Sequence, residues 1–218
     1  MNDIDALLQT ITLTAGSAWA SGLNLYATLV ALGVAGATGY IDLPSGLAVL
    51  QDPIVIVVAG CMFCVEFFAD KIPGFDSVWD AIHTFIRIPG GALLAAGAVG
   101  EVTPALSIAA ALLGGGVTAA THSVKAGSRA LINTSPEPFS NIAASVTEDT
   151  AVFAGLWLAL KQPLAFAIAF GLFLLALVWI LPRLWRGTRS LLDRLGRWLG
   201  MSPTQGHTAS NSSQPPPG

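Results

Sequence analysis

The side chains with the most informative spacing lie within residues 75–87. Taken as a helix, this segment carries Asp76, Asp80, His83 and Arg87 at positions i, i+4, i+7 and i+11, which places them on one polar stripe. Carboxylates beside a histidine that titrates near neutral pH are typical of proton and ion pathways in membranes. The stripe therefore predicts a face that meets water or polar partners.

Two smaller polar groups accompany this stripe. Glu66 and Asp70 are spaced i, i+4, and His122, Lys125 and Arg129 follow at i, i+3, i+7, so each group shares one helix face. Both groups stand at the ends of apolar segments that end on the same side of a membrane. We expect the acidic and basic side chains to meet there.

The rest of the chain is too apolar for a soluble domain. Of its 218 residues 53% are hydrophobic and 11% charged, whereas soluble domains average about 25% charged residues. The composition predicts an all-α integral membrane protein. The net charge of -3 says little about partners. We expect no nucleic-acid partner and no cofactor.

The apolar runs predict about six transmembrane helices within a domain of residues 1–182. A helix needs about 20 apolar residues to cross hydrocarbon, and prolines are expected at the segment borders. Residues 4–18, separated from the next run by Gly16 and Gly22, are left open as a surface, re-entrant or spanning helix. The candidate segments are 22–41, 53–69, 88–100, 102–121, 139–160 and 162–182.

The chain shows a weak hint of an internal repeat, of the kind common in transporters. Two spans followed by a charged segment occur in residues 22–87, and the same order recurs in residues 88–133. Cys61 and Cys64 lie at i, i+3 in an apolar run, and core packing is favoured over redox or metal chemistry because no basic neighbour would activate a thiol.

Residues 183–200 predict a basic amphipathic helix that lies on the membrane surface, followed by a disordered tail at 201–218 rich in Ser, Pro and Gly. By the positive-inside rule this basic end is cytoplasmic, and six crossings then put both termini in the cytoplasm. The arginines expected to contact anionic lipid are Arg183, Arg186, Arg189, Arg194 and Arg197.

Glu148 and Asp149 fall near the middle of an apolar segment. A charge at bilayer centre costs about 2.5 to 3.5 kcal/mol, so we expect partners, Lys125 and Arg129 being the nearest. The favoured interpretation is a polar cavity open to the cytoplasm. It is lined by Glu66, Asp70, Asp76, Asp80, His83, Arg87, His122, Lys125, Arg129, Glu148 and Asp149.

Three other interpretations stay open. The charges can form a structural ion-pair network in a non-catalytic scaffold or partner subunit. They can serve a lipid-processing enzyme, although hydrolase and nucleotide-binding motifs are absent, so an enzyme is less expected. A metal site is weighed because His and carboxylates suit transition metals, but the sequence holds no compact ligand motif.

Four blocks of this sequence resemble a family of small bacterial inner-membrane proteins catalogued as a domain of unknown function. The resemblance covers about residues 15–160 and implies a multi-pass inner-membrane location, but it implies no substrate. The blocks are 21–27 (SGLNLYA), 65–73 (VEFFADKIP), 79–89 (WDAIHTFIRIP) and 120–129 (ATHSVKAGSR).

The sequence therefore predicts a transporter or channel for a small solute or ion with proton coupling. In this hypothesis His83 and His122 shuttle protons, while Glu66, Asp70 and Glu148 bind the proton or cation. A homo-oligomer is considered, and the substrate, the direction of movement and the oligomeric state stay open.

Overall fold

The computed structural model describes residues 3–134 and 138–198, including their side chains except those of Pro138, Thr188 and 191–198. The described residues are helical, with no strand among them, which confirms the predicted all-α fold. The predicted tail at 201–218 lies outside them. The elements are α1 (Asp3–Ala37), a 3₁₀ helix (Ser45–Gln51), α2 (Pro53–Ala69), α3 (Phe75–Ala98), α4 (Pro104–Ile132), α5 (Pro138–Lys161) and α6 (Pro163–Trp198).

The helices have the length and composition of membrane spans. Within the described residues five helices are long and apolar enough to cross a bilayer, and the 3₁₀ helix with α2, bent by 70°, makes a sixth candidate. The predicted number of about six is confirmed. The chain is a multi-pass membrane protein, because helices of this apolarity satisfy their backbone groups without water.

Prolines begin several of these helices, as predicted. Pro53 opens α2, where the Asp52 carboxylate accepts the Ile54 N–H at 2.7 Å, and Pro104 opens α4 behind Thr103. At the first helical position proline loses no intrahelical bond. Pro89 and Pro182 are exceptions, since both lie inside helices.

The segment 88–100, expected as a separate short span, is instead the second half of α3, which runs unbroken through Pro89. The charged stripe and the apolar run after it are thus one crossing helix. The border of the suggested internal repeat, between residues 87 and 88, falls inside this helix and loses its basis. Packing of α3 along α4 outweighs the bond that proline removes, because tertiary contacts override local propensity.

The basic C-terminal segment is continuous with the last span. α6 runs without interruption through Pro182 to Trp198, so no break separates residues 183–198 from the span, and their position on the membrane surface stays a prediction. Small residues explain this path: a Cβ on Gly127 of α4 would lie 3.4 Å from the Leu184 Cβ, and one on Gly187 would lie 3.2 Å from Leu131. The lower part of α6 therefore packs directly on α4.

α1 contains a sharp break at Asn24, whose φ of -152° and ψ of 102° are extended. The arm before the break runs antiparallel to α5. Thr12 donates a hydrogen bond to the Ala159 carbonyl at 3.0 Å, and Asn24 donates one to the Asp149 carboxylate, also at 3.0 Å. The first arm therefore descends along α5 from its C-terminal end toward its middle.

The arm after the break returns to where the first arm began. Lys161, at the end of α5, donates a hydrogen bond to the Tyr40 carbonyl at 3.2 Å. A straight helix would hold Thr12 and Ala37 about 37 Å apart at 1.5 Å per residue, yet both arms meet the end of α5. α1 is therefore a re-entrant helical hairpin with Asn24 at its tip, and the break expected at Gly16 and Gly22 lies at Asn24 instead.

The hairpin lies at the centre of the bundle. Leu25 and Leu32 are buried in the main apolar cluster, and Gly22 packs so closely on α4 that a Cβ there would come within 2.6 Å of the Thr121 side chain. Small residues allow such close helix packing in membranes.

The core packing predicted for Cys61 and Cys64 is wrong. Both residues are exposed and lie on the outward face of α2.

The bundle has two ends, which we name by the chain segments that they hold. The upper end holds residues 38–52, 99–103 and Gln162, as shown by Lys161 on Tyr40 and by the approach of Gly46 to Gly97. The lower end holds residues 70–74 and 133–134. The N-terminal arm of α1 starts at the upper end, whereas α6 leaves at the lower end.

Candidate functional site

The charged side chains predicted to meet do so, in the lower half of the bundle between the hairpin tip and the lower end. They come from α2, α3, α4, α5 and the connection after α2. The residues brought together are Glu66, Asp70, Asp76, Asp80, His83, Arg87, His122, Lys125, Arg129, Glu148 and Asp149, which we call the charge cluster.

Arg87 lies halfway along α3 and is fully buried. Its guanidinium bonds the Glu66 carboxylate of α2 at very short range and lies 3.1 Å from Asp80 Oδ1. The same guanidinium contacts His122 on α4. One cation thus joins three helices, which is the arrangement that makes a buried charge tolerable in lipid.

Lys125 is the most heavily surrounded cation of the charge cluster. Its ammonium lies 2.8 Å from Asp70 Oδ2, 3.3 Å from Glu66 Oε1 and 3.6 Å from Asp80 Oδ1. It also donates a hydrogen bond to the Leu23 carbonyl at 3.0 Å. The break in α1 leaves this carbonyl without its intrahelical N–H partner. The partial negative charge at the C-terminal end of the first arm therefore faces the positive ammonium of Lys125.

Arg129 closes the charge cluster toward the lower end. It holds Glu148 of α5 with two parallel hydrogen bonds, at 3.2 and 2.8 Å, the fork geometry that makes arginine pairs with carboxylates strong. It also donates to the carbonyls of Asp70 and Asn141, both at 3.0 Å. Asp76 lies further away, at 3.9 Å, and accepts a hydrogen bond from Asn133.

The two histidines differ in what they can do. His122 Nδ1 lies 3.1 Å from Arg87 Nη1, and a guanidinium only donates, so Nδ1 carries no hydrogen. Nε2 then carries it and donates to Thr84 Oγ1 at 2.7 Å. His122 is therefore neutral, with both nitrogens engaged, and it does not accept a proton while Arg87 keeps this position.

His83 lies at the edge of the charge cluster among aromatic rings. Its ring stacks on Trp79 with centroids 4.1 Å apart and meets the Tyr26 ring edge-on at 5.8 Å. Because the Trp79 carbonyl, 2.9 Å from Nδ1, can only accept, Nδ1 carries a hydrogen. The shuttle role predicted for His83 therefore depends on Nε2.

The carboxylates outnumber the cations that face them. Six acidic side chains share this buried space with Arg87, Lys125 and Arg129, and Lys71 approaches from outside the spans with a pKa that burial lowers. Within the described residues, carboxylate oxygens without a hydrogen-bond partner are Glu66 Oε2, Asp70 Oδ1, Asp76 Oδ2, both Asp80 oxygens and Asp149 Oδ2. The site therefore carries an excess of negative charge when all six are ionised.

The site is closed in this structure. The side chains of Glu66, Arg87, Lys125 and Arg129 are 0% exposed, and Glu148 is 13% exposed. The convergence of charges is thus present, but the open cytoplasmic cavity expected from the sequence is not the state described. The hairpin tip covers the charge cluster from above.

Sequence reasoning missed several residues that complete the site. Asn24, Thr84, Asn133 and Asn141 are hydrogen-bonded to members of the charge cluster, and Tyr26 packs on His83. Of these residues only Asn24 could have been recognised from the sequence, because it is a polar amide in an otherwise apolar run. The others sit in segments whose polarity is unremarkable until the helices pack.

The metal question has a partial answer. Among the residues that the structure describes, no three His, Cys, Asp or Glu side chains form a group able to hold a metal ion. The donor set is instead interleaved with Lys and Arg. The charge cluster is therefore a network of ion pairs.

A second feature lies outside the charge cluster, between α4 and α6 near the lower end. It is an apolar groove of about 990 Å³. Arg186 and Arg189 line its basic side, while Leu181, Leu184 and Trp185 supply apolar surface. Two of the arginines predicted to contact lipid thus line an apolar groove.

Comparison with known proteins gives one match. A family profile described as a domain of unknown function, DUF4126, matches residues 11–183. Neither the curated proteins nor the solved structures contain a match. The matched range covers the hairpin from residue 11 onward, the whole charge cluster and α6 as far as residue 183.

Proposed function

The chain belongs to the DUF4126 family, a domain of unknown function, and from the chemistry of its buried site we propose that it is a proton-coupled transporter of a small solute or ion. The single observation that carries this proposal is the excess of buried carboxylates over cations in the charge cluster. Such an excess is stable in a low dielectric only when protons or a cationic ligand balance it.

The re-entrant hairpin supports the same proposal. Broken helices at mid-membrane depth are tolerated where they line a site, because the freed backbone groups must find partners. In secondary transporters the ends of such half-helices contribute to substrate and ion sites. Here Leu23 and Asn24 present a carbonyl and an amide to Lys125 and Asp149.

The closed state fits one step of alternating access. A transporter must occlude its site between openings to the two sides, and ion pairs that join several helices can exchange partners when a helix moves. Glu66 is close to both Arg87 and Lys125. A small shift of α2 would therefore change which cation balances it.

We place the protein in the bacterial inner membrane with the lower end in the cytoplasm. Lys71, Arg129, Arg183 and Arg186 lie toward this end, while Lys161 lies at the upper end, and the excess of Lys and Arg marks the cytoplasmic side. The N-terminal arm then starts outside. In this proposal five helices cross, because a re-entrant hairpin adds no crossing, in place of the six crossings with both termini in the cytoplasm that the sequence predicts.

The groove between α4 and α6 is proposed to bind an anionic phospholipid. Its apolar lining suits an acyl chain, and Arg186 and Arg189 suit a phosphate at headgroup level. Arg183 lies close by on Trp179, with its guanidinium carbon 3.5 Å from the ring centroid. Arg194 and Arg197 belong to the same proposal, but their side chains are not described.

The rival function is a non-catalytic scaffold. It is favoured by the completeness of the ion pairs around Arg87 and Arg129, which would lock the helices without any transport. A lipid-processing enzyme gains no comparable support from the site.

Flux through liposomes separates transporter from scaffold. Purified protein is reconstituted with an internal pH dye, and gradients of inorganic cations, anions, amino acids and organic acids are imposed in turn. We expect at least one solute to drive proton movement, and Glu66→Gln to abolish it. The matched control is Glu101→Gln, an exposed carboxylate whose loss leaves flux unchanged.

The absence of proton-linked flux with every solute, in protein that is folded, would overturn the transporter. Equal flux in both variants would instead exclude a role for Glu66 in transport. Turnover of labelled lipid in detergent would support the enzyme instead.

A further inference from the structure

Asp149 stands apart from the other carboxylates of the charge cluster. It lies in the middle of α5 and is 9% exposed. Among the described residues no Lys, Arg or His nitrogen pairs with it within 4.0 Å, whereas each of the other five acidic groups has such a pair. Its Oδ2 has no hydrogen-bond partner there.

The other oxygen of Asp149 is bound to the hairpin tip. Asn24 Nδ2 donates to Oδ1 at 3.0 Å, while Asn24 Oδ1 accepts the Ala27 N–H at 2.9 Å. Asn24 is therefore the N-cap of the second arm and at the same time the ligand of Asp149. One side chain connects the carboxyl to the place where α1 changes direction.

We propose that Asp149 binds the coupling proton and that Asn24 transmits its protonation state to the re-entrant hairpin. This inference rests on the proposed function and assigns the proton to one residue of the charge cluster. The proton adds to Oδ2, the free oxygen, and leaves by the same route. No other bond forms or breaks.

The polar and charged groups that act on Asp149 come from three parts of the fold. Asn24 of α1 is hydrogen-bonded to it, and it feels the charges of Lys71 and Asp70 in the connection after α2 and of Lys125 in α4. Lys71 donates a hydrogen bond to Ser145, one helical turn below on α5, at 3.3 Å. This lysine and serine thus place two polar side chains one turn below Asp149.

The protonation state changes how firmly the tip is held. The ionised carboxylate accepts a charge-assisted bond from Asn24, and such bonds are about twice as strong as neutral ones. After protonation the bond is neutral and weaker. The tip then opens more readily, which is the movement that a gate over the charge cluster needs.

Infrared spectroscopy tests the assignment directly. We expect wild-type protein in lipid to show the C=O stretching band of a protonated carboxyl that titrates with pH. Asp149→Asn should lose this band and Asp149→Glu should keep one at a shifted position. Asp42→Asn, at an exposed carboxylate, is the matched control and should retain the wild-type band.

Hydrogen exchange tests the coupling to the tip. At pH below the band's midpoint, the protection factors of backbone amides 22–28, which are corrected for the pH dependence of intrinsic exchange, should fall about fivefold, the ratio expected for a loss near 1 kcal/mol in one hydrogen bond. Asp149→Asn, which mimics the protonated state, should show the lower protection factors at every pH. Asn24→Ala should show them as well and keep a titrating band.

These results are independent of flux. If the band disappears in Asp149→Asn but the protein moves no solute, the proton site at Asp149 is supported and the transporter function is excluded. A band and midpoint unchanged in Asp149→Asn would overturn the inference even where flux is observed. If Asp149→Asn does not fold, an absent titrating band in folded Asp149→Glu and Asn24→Ala would overturn it equally.

Discussion

Replacing Arg87 by methionine tests whether the charge cluster is held together by its buried cations. The substitution keeps most of the side-chain volume and removes the charge. It leaves Glu66 and Asp80, whose side chains are 0% and 1% exposed, without their shared guanidinium. Removing one partner of a buried ion pair costs about 3 to 5 kcal/mol.

We expect Arg87→Met to lower the free energy of unfolding by about 4 kcal/mol, since two carboxylates lose a partner and only Lys125 remains near them. Adding Glu66→Gln should recover about 2 kcal/mol, because the double variant no longer holds an ionised Glu66 in a dry site. Asp80 keeps Lys125 at 3.6 Å, so recovery is incomplete.

The assay is reversible unfolding in mixed micelles, followed by tryptophan fluorescence. Arg183→Met is the matched control: this arginine is exposed, and its loss should cost less than about 1 kcal/mol. Equal costs for Arg87→Met and Arg183→Met would refute the reasoning. Strictly additive costs in the double variant would refute the pairing of Arg87 with Glu66.

Two further predictions concern helix packing and lipid. Gly91→Ala should destabilise the protein by about 1 to 3 kcal/mol, because a Cβ at Gly91 overlaps the Thr118 side chain. Gly116→Ala is the control, since a Cβ there enters open space on the same helix pair. Equal unfolding curves for the two variants would contradict the close contact of α3 with α4. Phosphatidylglycerol should raise the melting temperature more than phosphatidylcholine does, and the double variant Arg186→Gln with Arg189→Gln should lose this difference, at about 1 kcal/mol per arginine. An undiminished difference would exclude these arginines.

The sequence by itself determined the class of the protein and the choice of its polar residues. Apolar runs of membrane length predict helices, since only such helices satisfy their backbone in lipid. The i, i+4, i+11 spacing of Asp76, Asp80 and Arg87 fixes a common face on any helix. These features are local, so no knowledge of distant segments was needed.

Tertiary structure decided how the crossing segments are divided. Pro89 and Pro182 predict helix ends, yet α3 and α6 run through them because their flanks pack on α4. The reversal at Asn24 was likewise hidden. An asparagine is compatible with a helix interior, and only the buried carboxylate of Asp149 and the freed N–H of Ala27 make the break favourable.

Tertiary structure also decided what the charged groups can do. The sequence alone does not distinguish His122 from His83, because Arg87 is distant from His122 along the chain. Packing brings Arg87 onto His122 and makes this histidine an acceptor and therefore neutral. Asp149 and Glu148 are neighbours, but Arg129 reaches Glu148 while Asn24 reaches Asp149. The charge of each residue and its spacing along a helix follow from the local sequence. Its protonation state and its ion-pair partner depend on which distant dipoles and ions the fold brings within a few ångströms.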